Sequence, residues 1–195
     1  MEGNIPSSPT FSQKGNIYYR YVPKEMSFYI DIIKKGKSST EHNAEKITIF
    51  DLDGTLSDDK WRRKFIDESL PDSDPLKWHQ YQTSCVDDDL MNGHLIQDDH
   101  FSLYAVIFTG RPKRYKDLTT KWLWLNKVPY KGLYMREDSD LSPNWQVKEK
   151  LLHHLCEWCK NHITPIYPFM AYDDDPKVIE MYKRYGLNCK LVKGK

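Results

Sequence analysis

The chain lacks any long hydrophobic run. No stretch of its 195 residues approaches the roughly 20 apolar side chains that a membrane-spanning helix requires, and the polar N-terminus has no signal-peptide core. A soluble, cytoplasmic protein that is not secreted is expected. Net charge is also missing: 29 Lys and Arg stand against 28 Asp and Glu. The whole molecule therefore exerts no long-range pull on nucleic acid or a membrane surface, and any such affinity has to be local. Cysteine is scarce, since Cys85, Cys156, Cys159 and Cys189 are too few and too scattered to form a disulfide scaffold at this size. Cys156-Glu-Trp-Cys159 lies near His153, His154 and His162, which suggests zinc, but no second ligand pair follows. Val147, Leu151, Leu152, Leu155, Trp158 and Cys159 recur at helical spacing, so these thiols are expected on or beside an apolar face. There is no G-x-x-x-x-G-K-[ST] phosphate loop either, so any kinase or ligase activity is expected from a separate partner protein.

What is present divides into an N-terminal tail and aromatic extension (1–45) and one full domain (46–195). Residues 1–16 are rich in Ser, Pro, Asn and Gly and read as a mobile tail. Ile17–Val22 reads as a short strand. Pro23 suits a helix start before Met26, Tyr29, Ile30 and Ile33, Gly36 would stop that helix, and 37–45 read as a linker. The extension is expected to lie against the main domain, with a partner-binding arm as the alternative. From Lys46 onward, short apolar runs near 46–51, 103–109, 132–135, 166–173 and 188–192 alternate with helical patterns near 60–68, 113–126, 145–161 and 176–185. That alternation predicts an α/β fold: a three-layer, Rossmann-like parallel sheet whose ligand site lies beyond the carboxyl ends of its strands.

Four segments fall at such ends or at helix starts: Asp51-Leu-Asp53-Gly54-Thr55, Phe108-Thr109-Gly110-Arg111-Pro112, Lys148, and Tyr172-Asp173-Asp174-Asp175-Pro176. Taken singly, they are an Asp-Gly turn, a loop, a solvated helix charge and a helix cap. Their shared position favours one site. Asp51 and Asp53 share a side of an extended chain while Gly54 lets it turn away, so one acid can attack while the other handles protons. Asp51, Asp53, Asp173 and Asp174 in one crevice would raise one another's pKa unless a cation neutralised them. Hard carboxylate oxygens without a His or Cys set point to Mg²⁺.

These segments resemble the four motifs of the haloacid-dehalogenase-like phosphatases over residues 46–193. The likeness narrows to the 3′-phosphatase domain of phage polynucleotide kinase and its stand-alone relatives through Thr119-x-x-Trp122-Leu123, Leu133-Tyr-Met-Arg136 with Asp140 and Lys148, and Asp173-Asp174 followed by Val178-Ile-Glu-Met-Tyr and Gly186-Leu. The resemblance implies Asp51 as the nucleophile that forms an aspartyl-phosphate, and Asp53 as the acid and then base. It implies that Thr109 and backbone N–H groups near Gly110 hold phosphoryl oxygens and that Lys148 offsets charge on the phosphoryl group. It implies Arg62 and Arg111 as phosphate binders, and Mg²⁺ held by Asp51, the Asp53 carbonyl and Asp173, with Asp174 completing the shell through water or orienting its neighbours.

Two positions depart from that pattern. Asn144 stands where relatives often carry Asp, which bears on how Lys148 is oriented, and Asp175 stands where they commonly carry Arg, which removes a substrate-facing cation. Ser57–Phe101 has room for short helices and an acidic loop but no large cap domain. An open site favours a DNA or RNA 3′ end over a small metabolite, although capless relatives also hydrolyse mononucleotides. A nucleotidase, and a binding module that has lost catalysis, therefore stay open. Trp61, Trp78 and Tyr81 are candidates for stacking a base, but such rings on amphipathic segments more often belong to a core.

Overall fold

The computed structural model describes residues 24–38, 45–71, 74–97 and 104–193. The expected tail and the Ile17–Val22 strand lie outside them. Five parallel strands form the sheet: β1 (Glu45–Asp51), β4 (Ala105–Pro112), β5 (Gly132–Arg136), β6 (Ile166–Asp173) and β7 (Asn188–Leu191), in the order β5-β4-β1-β6-β7. Helices α4 (Lys116–Leu125), α5 (Asn144–Asn161) and α6 (Pro176–Arg184) supply the crossovers. This is the α/β, Rossmann-like architecture that the alternating pattern predicts.

Strand alternation sorts the apolar side chains into two cores. Ile47, Ile49, Val106, Phe108 and Ala171 face α5 and α6, joining Leu152, Leu155, Val178 and Met181. Phe50, Leu52, Ala105 and Ile107 face the other way, onto Trp122 and Leu123 of α4. Cys156 and Cys159 are buried in the first core. Burial pushes both thiols up, Cys159 to about 12, so they stay protonated and pack as small apolar groups. Helix α1 (Lys24–Ser38) lies against β6 and α5 with Ile32 and Ile33 in the same core. It runs on past Gly36, which was expected to end it. One glycine in a last turn costs only about 1 kcal/mol, less than docking of the apolar face returns.

The segment after β1 differs most from expectation. In place of a helix over 60–68 there is a 3₁₀ turn, Lys60–Phe65, followed by short helices that include α2 (His79–Thr83) and α3 (His94–Gln97). A two-stranded antiparallel hairpin, β2 (Ser57–Asp58) with β3 (Asp89–Leu90), ties the segment together. The inward anchor of the 3₁₀ turn is ionic, Arg62, and it has no apolar stripe to support more turns. No cap domain is present among the described residues, and no described helix is long and apolar enough to cross a membrane.

The chain leaves β1 towards β4 and β5, then returns across the sheet to β6 and β7, so the strand order reverses between β1 and β6. A crevice opens at such a switch point, beyond the carboxyl ends. Asp51 ends β1 and Asp173 ends β6.

Candidate active site

Asp51 is 4% exposed and Asp173 fully buried. Between them lies Lys148, from the first turns of α5, whose Nζ donates to Asp51 Oδ1 at 2.6 Å and to Asp173 Oδ2 at 2.7 Å. The second Asp173 oxygen accepts the Asp175 backbone N–H at 3.0 Å. Asp51 Oδ2 is buried and has no hydrogen-bond partner among the described residues. Such an orphaned oxygen is costly unless something binds it, and it is the free lone pair a nucleophile or a metal ligand needs.

Carboxylate oxygens of Asp51, Asp173 and Asp174 lie within 4.8 Å of one another, and this is the one group so arranged for an ion among the described residues. Burial pushes Asp51 up to about 7, against the pull of Lys148 and with help from Asp173. Burial and the Asp51 charge likewise push Asp174 up to about 7. The single ammonium of Lys148 does not neutralise three acids. An all-oxygen donor set with excess negative charge fits Mg²⁺. Gly54 has φ +85°, and a Cβ there would overlap Asp174 Oδ2, so glycine is required both for the turn after β1 and for Asp174 to close over it.

Strand β1 ends at Asp51, and Asp53 follows it with an isolated bridge to Ser57. The Asp53 carboxylate is outside the acidic cluster and is gripped by two fully buried arginines. Arg111 Nε donates to Asp53 Oδ2 at 2.9 Å, and an Nη of Arg62 pairs with Asp53 Oδ1. Burial alone would raise this carboxyl, but Arg111 and then Arg62 outweigh it and hold Asp53 down at about 2.

The arginines share a second acid that sequence inspection did not single out. Asp88 Oδ1 accepts from Arg62 Nε at 2.8 Å and from Trp61 Nε1 at 2.9 Å, and its Oδ2 lies 3.4 Å from Arg111 Nη2 and bonds the Ser57 hydroxyl. Asp88 sits in the run Asp87-Asp88-Asp89, where only the middle residue turns inward. The β2–β3 pairing decides which one, and no residue-type pattern announces it. Tyr81 is also in this nest, its ring 4.0 Å from the Arg62 guanidinium and its hydroxyl donating to Asp59 at 2.7 Å. It is therefore core, as is the partner of Asp88 on α4, Trp122, whose Nε1 donates to the Asp88 carbonyl at 2.8 Å.

Thr109 is fully buried in β4, one residue past the partner of Asp51, Phe108, and its Oγ1 accepts the Arg111 N–H at 3.1 Å. The Gly110 carbonyl accepts from Arg136 Nε at 2.8 Å, and Arg136 also reaches the Asp140 and Ser142 carbonyls at 3.0 and 2.7 Å. Arg136 thus braces the loop before α5 against the β4 end. Asn144 packs on Gly110 so closely that a Cβ would come within 2.6 Å of its Oδ1. Lys148 is held by two carboxylates and does not use Asn144 for orientation. The sequence-predicted residues thus gather into three adjoining groups: Asp51, Lys148, Asp173 and Asp174; Asp53, Arg62 and Arg111; and Thr109 with Gly110.

A family model described as the polynucleotide kinase PNKP phosphatase domain matches residues 45–194. The chain is similar in fold to chains in two solved structures. One is described as the Pnkp1/Rnl/Hen1 RNA repair complex, at 20% identity and TM-score 0.54, covering 80% of this chain and 44% of that one. The other is described as the Pnkp1/Rnl/Hen1 complex, at 20% identity and TM-score 0.55, covering 81% and 50%. This chain thus spans about half the length of the chains it matches.

Proposed function

Because the chain belongs to the family of polynucleotide kinase PNKP phosphatase domains, a haloacid-dehalogenase-like family of phosphatases, we propose that it is a Mg²⁺-dependent phosphomonoesterase acting on the 3′-phosphate of DNA or RNA ends. The observation that carries this reading is the unpartnered Asp51 Oδ2 at the β1–β6 switch point, beside a lysine that two carboxylates hold in place. Asp51, Asp173, Asp174 and the Asp53 carbonyl would hold Mg²⁺, which would supply charge neutralisation at the phosphoryl oxygens.

In the first step Asp51 Oδ2 attacks phosphorus. The Oδ2–P bond forms, the P–O3′ bond breaks, and the departing oxygen takes a proton from Asp53. In the second step Asp53 removes a proton from water, whose oxygen attacks phosphorus and releases phosphate and the free Asp51 carboxylate. Lys148 stabilises charge on Asp51 and the transferring group, while the Thr109 hydroxyl and N–H groups near Gly110 bind its oxygens.

Asp53 at about 2 is a poor acid while both arginines hold it. A phosphate oxygen that draws an N–H of Arg62 or Arg111 away from Asp53 raises that carboxyl towards protonation. Arrival of substrate then readies the acid, and the two arginines bind phosphate as they let Asp53 go. The Pnkp1 neighbours occur in complexes with Rnl and Hen1, and by analogy we place this chain beside separate end-processing partners.

The test is a panel of 3′-phosphorylated oligonucleotide and nucleoside monophosphates at matched concentration, with Mg²⁺ or with EDTA. Release of phosphate from the oligonucleotide that depends on Mg²⁺ and is abolished in Asp51→Asn is expected. Equal or better turnover of mononucleotides makes the protein a nucleotidase. The same absence of activity in wild type and variant across the panel leaves a binding module.

A further inference from the structure

Two hollows on the surface carry opposite charge. The larger, about 720 Å³, lies at the β2–β3 hairpin and is lined by Asp58, Asp87 and Asp89 against one ammonium, Lys60, with Trp61. A phosphodiester chain is repelled there. The smaller, about 250 Å³, lies between the start of α5 and one face of α6 and is lined by Lys177 and Arg184 against one carboxylate, Glu180, with Trp145 and Met181. Lys177, Glu180, Met181 and Arg184 follow at i, i+3, i+4 and i+7, so they form a single stripe on α6.

The smaller groove is tied to the catalytic end of the sheet at both sides. Trp145 precedes Lys148 by one helical turn on α5, about 4.5 Å along the axis. Lys177 follows Asp174 by three residues, a span of at most roughly 11 Å, and its backbone N–H donates to Asp175 Oδ1 at 2.9 Å. Asp175 is consumed as the N-cap of α6 and brings no cation to the substrate. Lys177 and Arg184 are the cations that the same helix presents to this groove.

The stacking surface is organised in advance. The Arg184 guanidinium lies 5.2 Å from the Trp145 ring centroid, with one Nη 3.6 Å from Glu149. Arg184 Nε is buried and has no hydrogen-bond partner among the described residues. A planar cation on an indole with an N–H unspent is a favourable arrangement for a phosphodiester oxygen beside a nucleobase.

We propose that the α5–α6 groove, through Trp145, Lys177 and Arg184, binds the nucleotide that precedes the terminal phosphate, so that the substrate class is an oligonucleotide end and not a free nucleotide. This rests on the proposed phosphatase reading. The exposed Lys177 neutralises the connecting phosphodiester, while Arg184 and Trp145 hold the adjoining sugar and base.

The experiment measures kcat/KM for a short 3′-phosphorylated oligonucleotide and for p-nitrophenyl phosphate, across salt concentrations, in the full chain and in Lys177→Glu. Lys131→Glu makes the same charge change at the amino end of β5, on the opposite side of the sheet. The ratio of oligonucleotide to small-ester kcat/KM is expected to fall roughly tenfold in Lys177→Glu, with the slope of log kcat/KM against log salt shallower by about 1. Lys131→Glu keeps the wild-type ratio. An oligonucleotide advantage that is present in wild type and undiminished, with an unchanged slope, in Lys177→Glu overturns the groove assignment and leaves the phosphatase reading standing. A wild type with no such advantage overturns the end-directed substrate and the groove together. Should Lys177→Glu misfold by circular dichroism, Lys177→Gln is read the same way, with about half the effect on a logarithmic scale.

Discussion

Asp88 shows how much of this site rests on residues that touch no reacting atom. It is 4% exposed and binds two fully buried arginines. In Asp88→Ala both guanidiniums are left buried with Asp53 as their remaining carboxylate. The variant is expected to lose about 3–5 kcal/mol in urea unfolding and most of its phosphatase activity, and wild-type stability would contradict the nest. Gly110 makes a narrower demand. Its missing side chain leaves room for Asn144 Oδ1, so Gly110→Ala is expected to depress kcat, and the double variant Gly110→Ala, Asn144→Ala to recover part of it. No recovery would mean that the glycine serves the phosphate through its backbone and not through this contact.

Protonation of the acidic cluster gives a further test at this scale. Asp51 and Asp174 have carboxyls raised from the ordinary 3.8 to about 7, chiefly by burial. The folded protein holds those protons where the unfolded chain has released them, so the stabilising protonated state is lost as pH rises from about 3.8 through about 7. Asp53, held at about 2, works in the opposite sense: its contribution is present above 3.8 and is lost as pH falls through about 2. A divalent cation competes with the protons on the cluster and is bound more tightly as they leave. The gain in Tm on adding Mg²⁺ is therefore expected to be larger at pH 8 than at pH 6. An equal or smaller gain at pH 8 would contradict a metal role for these carboxylates.

Among the elements, the strands and α4, α5 and α6 were legible because apolar runs and helical stripes alternate with little ambiguity. Ile47 and Ile49 against Phe50 and Leu52 already specify two faces. The segment after β1 was not legible, because what organises it is ionic. Arg62, Asp88 and Ser57 pair across long sequence separations, and periodicity carries no record of such partners. Three of the residues that narrowed the family resemblance turn out to be supports: Thr119 and Trp122 back the arginine nest, and Arg136 braces Gly110. Helix α1 was legible as a helix from Met26, Tyr29, Ile30 and Ile33, and its docking supplies an element-scale prediction. Ile33 is fully buried against the β6–α5 side, and Tyr29 stacks on His153 with centroids 3.9 Å apart. Ile33→Ala is expected to cost about 2–5 kcal/mol of unfolding free energy. A loss below about 0.5 kcal/mol, the scale of a surface substitution, would mean that α1 is not docked.

For the whole molecule, the parallel sheet does the organising that no local motif can. It brings Asp51 and Asp173 together because β1 and β6 are neighbours with matched ends, and it places α5 so that Lys148 enters between them. Near-neutral overall charge leaves substrate attraction to local patches, here a basic groove between α5 and α6 and an acidic hollow at the β2–β3 hairpin. The measurement that bears most directly on the account is acid quenching of the protein during turnover of an oligonucleotide carrying a radiolabelled 3′-phosphate. Label that stays on the protein in acid, is released by mild base and is absent in Asp51→Asn is the predicted result. Steady turnover with no label on the wild-type protein, or an Asp51→Asn variant that still releases phosphate, would contradict it.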